Sequence, residues 1–291
     1  MGKTAVIRPG SLGDLVMSFN FAHELMSQGQ TTFLCHESVR RVLGKFAESC
    51  GIDLRCQDDT SEFDRVVNLV GYPLSEGYPH KPMSRHLLEY FASEMGVGFS
   101  FDKFFATPAP RPSSIKHSQY VTIQTKTGWS TYKDWWGWNE LVSLLRRARR
   151  DLGVYQIGGP DDPRLEDADG CFCGMDFLEN LRAQTWSMAH LGLDSVFNHT
   201  SNIHWHGRGK VRSVILFGST QASASGYPHN ENISLNLSCQ PCFREDPKLS
   251  RIPLGLCQNP PEQTYERPLH ACMAGITPHM VLGRLFSRGS K

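Results

Sequence analysis

Ala5-Val6-Ile7-Arg8-Pro9-Gly10-Ser11-Leu12-Gly13-Asp14-Leu15-Val16-Met17 is the stretch whose reading decides the fold. A short apolar run, Ala5 to Ile7, meets a Pro-Gly-Ser turn, and an amphipathic pattern then extends from Leu12 to about Met26. That pattern predicts a strand, a loop and a helix. Gly10 and Gly13 let backbone amides come close to a ligand at the loop. Asp14 falls in the first helical turn, where the helix dipole favours an acid. It is either a helix-start carboxylate and nothing more, or a general base at the mouth of a cleft.

The same alternation continues outward. Thr31–Cys35 and Asp64–Val70 read as strands, and Val39–Cys50 and Met83–Met95 as helices. Phe101, Phe104 and Phe105 read as core. Three prolines within Pro108–Pro112 break the pattern and mark a domain boundary, giving units 1–110 and 111–291. The second unit restarts with strands at Tyr120–Gln124, Val154–Ile157, Ser195–Phe197 and Ser213–Phe217, and a helix from Trp138 to Leu152. Strands alternating with helices predict parallel, helix-covered sheets, and a cleft between two such units is a usual place for a nucleotide.

A chain of 291 residues with a formal net charge of +1 can bury a sizeable core and has no bulk attraction for nucleic acid or anionic membrane. No run approaches the ~18 apolar residues of a membrane span, and no apolar leader opens the chain, so the cytoplasm is the expected location. Nine cysteines, an odd number, argue against a complete disulfide framework.

Several constellations could carry chemistry. Gly158-Gly159-Pro160 and Gly218-Ser219-Thr220 each follow a strand and expose N–H groups suited to a diphosphate, although glycine after a strand is also an ordinary turn. Neither GxxxxGK[ST] nor GxGxxG is present, which argues against a P-loop ATPase and ordinary dinucleotide redox chemistry. Lys133 lies among four tryptophans in ten residues (Trp129, Trp135, Trp136, Trp138). It reads as a point charge for phosphate or as a solvent lysine beside hydrophobic anchors. In His199-Thr200-Ser201-Asn202-Ile203-His204-Trp205-His206, Thr200 and Ser201 are expected at a helix N-terminus, as phosphate ligands or plain caps. His204 and His206, two residues apart, do not share a helix face and are not read as a metal pair. Cys239, Cys242, Cys257 and Cys272 have the spacing C-x2-C-x14-C-x14-C. That spacing suits a tetrahedral structural site for zinc or a rubredoxin-like iron, with four separately buried thiols as the alternative and His270 as a possible substitute ligand.

Taken together in order, these segments resemble glycosyltransferase family 9, the ADP-heptose:lipopolysaccharide heptosyltransferases. IRPGSLGDLVMS is similar to that family's strand–SLGD–helix start, TGWSTYKDWWGWNEL to its Lys-x-Trp segment and YQIGGPDD to its Gly-Gly-Pro turn. NHTSNIHW is similar to its Asp-Ser/Thr-Gly-x-x-His segment and VILFGST to its Phe-Gly-Pro-Thr. CQPCF with the later CMAGITP resembles its cysteine-bearing tail. The resemblance implies a GT-B fold, two Rossmann-like domains facing across a cleft, with an ADP-sugar held mainly by the second. It implies inverting transfer without an obligatory divalent ion. Asp14 would be the base and Lys133 would neutralise the leaving diphosphate. Gly158, Gly159, His199, Thr200, Ser201, His204, Gly218 and Thr220 would line the donor site, and Ser11 and Gly13 the acceptor side. Three departures stand out: His199 at the family's Asp, Ser201 at its Gly, and Ser219 at its Pro. The N-terminal half is also short for the family. These motivate two rivals: a non-catalytic sugar-nucleotide or carbohydrate-binding protein of the same fold, and a transferase acting on protein or nucleic acid. The expected acceptor is a glycan, and a homo-oligomer is possible.

Overall fold

The computed structural model describes residues 2–56, 59–70, 84–128, 133–242 and 270–287. β1 (Lys3–Ile7) carries Ala5, Val6 and Ile7 consecutively into the interior, the pattern of a strand covered on both faces. It feeds α1 (Leu12–Phe19), after which the chain breaks and restarts as α2 (Ala22–Gln28), where the sequence predicts one helix. At the break the N–H groups of Asn20 and Phe21 bond back only three residues, to Met17 and Ser18, while the Asn20 amide donates to Ser100 O at 2.9 Å. β2 (Gln30–Cys35), α3 (Glu37–Ser49), β3 (Asp53–Cys56) and β4 (Arg65–Asn68) follow. The four strands form a parallel sheet in the order β3-β2-β1-β4. α4 (Leu87–Met95) ends on left-handed Gly96, and β5 (Phe105–Ala106) leads away from this layer. Phe104 is buried as expected, whereas Phe105 is exposed.

The second sheet takes β6 (Tyr120–Gln124), β7 (Gly153–Ile157), β8 (Gly170–Cys171), β9 (Ala189–Leu193), β11 (Ser213–Leu216) and β12 (Glu231–Ile233), parallel, in the order β12-β11-β9-β6-β7-β8. Its helices are α5 (Trp138–Ala148), α6 (Phe177–Trp186), α7 (Val196–Thr200), α8 (Ala222–Ser225), α9 (Ala271–Ala274) and α10 (Pro278–Phe286). β10 (His204–Trp205) leaves this layer and pairs with β5. The expected strand at Ser195–Phe197 is instead the start of α7, because the Ser195 hydroxyl caps it by accepting the Phe197 N–H at 3.3 Å.

Between the layers the apolar packing is continuous. Phe46 of α3 meets Phe177 of α6 with ring centres 5.9 Å apart, and Lys45 reaches Asp176 at 2.5 Å beside them. Trp135 and Trp138 are buried, and Trp135 donates to Ile276 O at 2.8 Å. These two rings anchor the C-terminal helices and are not a docking surface. Among the described residues no helix is long and apolar enough to cross a membrane.

Two buried histidines make the fold sensitive to acid. Burial pushes His190 in β9 and His86 at the start of α4 down to about 3. An unfolded imidazole takes its proton near 6.5, so this stability is intact above pH 6.5 and lost as pH falls toward 3. Each histidine is expected to remove about 1.4 kcal/mol per pH unit across that window. Urea unfolding between pH 7 and 5 measures it, and a flat midpoint would contradict the burial of these rings.

Candidate active site

The loop between β1 and α1 is fixed from both sides. Arg8 N–H donates to Leu34 O at 3.0 Å, and His36 N–H to Pro9 O at 2.8 Å. Ser11 caps α1 with φ +62°, a conformation costly for a residue with a Cβ, and its hydroxyl accepts the Asp14 N–H at 3.4 Å. The Arg8 guanidinium spans from Leu69 O (2.7 Å) to Asp14 Oδ2. Asp14 is therefore held by an arginine that is itself braced on the neighbouring strand. Oδ2 is engaged by Arg8, and no described residue hydrogen-bonds Oδ1.

α1 meets α7 across the gap between the two layers. A methyl group at Gly13 would lie 2.8 Å from His199 Cδ2 and 3.0 Å from its Nε2, so only glycine fits this approach. His199 bonds Tyr227 Oη through Nδ1 at 3.0 Å. Burial lowers the pKa of His199, while the carboxylates of Asp194 and Asp14 pull the other way. Burial, then the same two carboxylates, raises Tyr227. His199 and Tyr227 thus feel an acid from each layer.

Asp194, immediately after β9, is the residue the sequence reading missed. It accepts from Lys133 Nζ (3.0 Å), Thr220 Oγ1 (2.7 Å) and Ser225 Oγ (2.9 Å). Burial raises its pKa, but Lys133, His199 and the hydroxyl donors outweigh it and hold the carboxyl at about 2. Lys133 also donates to Asp194 O at 3.1 Å, so it is neither a solvent lysine nor an unpaired point charge. Asp194 is followed directly by Ser195, whose hydroxyl caps α7, so the acid stands at the entry to that helix.

Several expected donor residues lie elsewhere. Thr200 and Ser201 are at the C-terminal end of α7, fully buried, and bond Gln184 Oε1 (2.6 Å) and Asn198 O (2.6 Å). They present nothing to a phosphate. His204 sits in β10 against the Phe105 ring. His206 lies in the turn that follows β10, and its ring, like that of His204, is near Phe105. Gly158 needs its φ of +152°, but its N–H already donates to Asn180 Oδ1 at 2.8 Å, and its turn packs on Asp162. A diphosphate cannot take that donor. In the turn after β11 the Thr220 hydroxyl donates to Asp194 Oδ2 at 2.7 Å, and Gly218 O accepts from the Gln240 amide.

Cys257 lies outside the described residues, as does Trp129. Among the described residues, which include Cys239, Cys242 and Cys272, no group of three His, Cys, Asp or Glu side chains is gathered closely enough to hold a metal ion. Cys242 N–H donates to Ser219 O at 3.0 Å, placing the C-x2-C segment over the turn after β11. Cys272 is buried in α9, in the cluster that Leu235 and Leu237 pack against.

Two parallel, helix-covered sheets facing each other, with charged groups from each at the gap, define the GT-B class. No family model matches the sequence, and no curated protein matches it. Solved structures do match the fold. The iron-containing dodecameric glycosyltransferase TibC of enterotoxigenic E. coli aligns over 98% of this chain and 77% of its own, with a TM-score of 0.66 and 16% identity. E. coli ADP-heptose lipopolysaccharide heptosyltransferase II aligns over 97% of both chains, at 0.64 and 13%. A family 9 glycosyl transferase of Veillonella parvula aligns over 80% of this chain and 85% of its own, at 0.57 and 14%. The fold is that of the family 9 heptosyltransferases.

Proposed function

We propose that this chain is an inverting glycosyltransferase that moves a sugar from a nucleoside diphosphate to an acceptor hydroxyl. Two observations support the reading: in one layer Asp14 is braced by Arg8, and in the other Lys133 and Thr220 converge on the buried carboxylate of Asp194. Both layers' acids act on His199 where α1 packs on α7. Asp14 Oδ1 takes the acceptor proton while the acceptor oxygen attacks the anomeric carbon. The bond to the diphosphate breaks on the opposite face, inverting the centre. Lys133 and donors near Thr220 meet the charge on the leaving group, so no divalent ion is obligatory in this scheme. Residues 1–110 serve the acceptor and 111–291 the donor. An ADP-sugar is the favoured donor, since TibC is known in complex with ADP-D-β-D-heptose and another E. coli heptosyltransferase with ADP. A glycan is the favoured acceptor. A carboxylate at Asp194 beside Lys133 favours a catalytic over a non-catalytic reading. Burial of Trp135 and Trp138 weakens the case for a macromolecular acceptor.

A thermal-shift panel of ADP-, UDP- and GDP-sugars tests the donor. A ligand at 100 times its dissociation constant stabilises by about 2.7 kcal/mol, so the ADP-sugar is expected to raise Tm by several degrees. No shift with any of the three would overturn the reading.

Cys239, Cys242, Cys257 and Cys272 are proposed to hold one structural zinc or iron. Soft thiolates suit both metals, and TibC is iron-containing. Elemental analysis is expected to give about one metal per chain, with the four thiols protected from alkylation. Less than half a metal ion, with all four alkylated, would end this assignment. A homo-oligomer belongs to the same proposal, TibC being dodecameric.

A further inference from the structure

Cys35 and Cys56 are register partners on adjacent parallel strands, each the last residue of its strand. Paired residues of neighbouring strands lie about 4.8 Å apart at Cα and point to the same face of the pleat. A disulfide requires about 4.4–6.8 Å between Cα atoms, and the register puts this pair within that range. Cys35 is fully buried, and Cys56 is half-buried on the edge strand. The Cys56 thiol donates to Glu37 Oε2 at 2.7 Å, at the start of α3. Cys50 is the C-cap of α3, and Cys171 and Cys173 are two apart in one segment.

We propose that Cys35 and Cys56 are a redox modification site, a dithiol that closes to an intrachain disulfide when a peroxide acts on it. The Cys56 sulfur attacks the peroxide O–O bond, giving a sulfenic acid and one water. The Cys35 sulfur then attacks that sulfur and expels the oxygen as a second water. Two thiol hydrogens and two electrons pass to one hydrogen peroxide. Burial raises Cys35 to about 11, and the hydrogen bond to Glu37 raises Cys56, so neither is an activated thiolate. Proximity selects this pair, and the reduced form is the resting one. The bond would tie the edge strand to β2, where Leu34 before Cys35 and His36 after it, the cap of α3, hold Arg8 and Pro9 of the loop that carries Asp14. This inference does not rest on the transferase reading.

Peptide mapping of the full-length protein after hydrogen peroxide and alkylation tests it. The expected result is loss of two alkylatable thiols and a peptide joining positions 35 and 56, reversed by dithiothreitol and absent in Cys56→Ser. Both cysteines fully alkylated, Cys56 carried on to sulfinic acid, or either residue joined to another cysteine would overturn it. The wild-type map decides alone, so a Cys35 variant that fails to fold does not affect the outcome.

Discussion

Asp14→Ala is expected to lower kcat by about 10²–10⁴-fold, the usual worth of a general base, while the dissociation constant for the donor sugar nucleotide changes little. The separation follows from position: Asp14 stands on the loop of the first sheet, whereas the proposed diphosphate contacts stand on the second. One complication must be controlled. Removing the carboxylate strips Arg8 of its charged partner, and the Arg8 side chain is only 18% exposed. Arg8→Met is therefore made alone and together with Asp14→Ala. If Arg8 acts by holding Asp14, its substitution lowers kcat in the wild-type background and adds almost nothing once Asp14 is gone. Turnover equal to wild type in Asp14→Ala would remove this carboxylate from the chemistry, whatever the double variant does.

The first sheet was largely legible because its signals are local. An apolar strand, a Pro-Gly-Ser turn and a helical period can be read within thirteen residues. What escaped depended on partners far along the chain. β9 carries His190 and Gly192 among its apolar residues; Thr122 of the neighbouring strand bonds the imidazole at 3.1 Å, and the absence of a side chain at Gly192 leaves room for that ring. The sequence pattern puts the strand at Ser195–Phe197 rather than at β9, so the expected helix start falls on Thr200 and Ser201. The same slip hid Asp194, whose role rests on Lys133, 61 residues earlier, and Thr220, 26 later. One local sign was available: an acid followed by serine ahead of a short apolar run is a strand end and an N-cap. Lys133 was found from its neighbourhood of tryptophans, but its pairing could not be. Composition alone cannot say whether a lysine meets a ligand bare or already matched to a carboxylate.

That pairing sets the other large effect. Asp194→Ala is expected to destabilise the protein by about 3–5 kcal/mol, because it leaves the Lys133 ammonium buried without its carboxylate and frees the Thr220 and Ser225 hydroxyls of their acceptor. Asp194→Asn should cost less, since the amide oxygen still accepts from a hydroxyl while the charge is lost. The sign with pH follows from the carboxyl held at about 2. Its contribution is complete above the unfolded value near 3.9 and is lost as pH falls through 2, so the difference between wild type and Asp194→Asn should shrink below pH 4. Chemical denaturation at pH 7 and pH 3 measures both. A loss under 1 kcal/mol for Asp194→Ala at pH 7 would mean that water reaches the ammonium, and Lys133 would then face a diphosphate as an ordinary hydrated charge. With the full loss, a donor phosphate must compete with Asp194 for Lys133. Donor affinity should then rise in Asp194→Asn even as stability falls, a pair of opposite changes that a purely structural salt bridge does not produce.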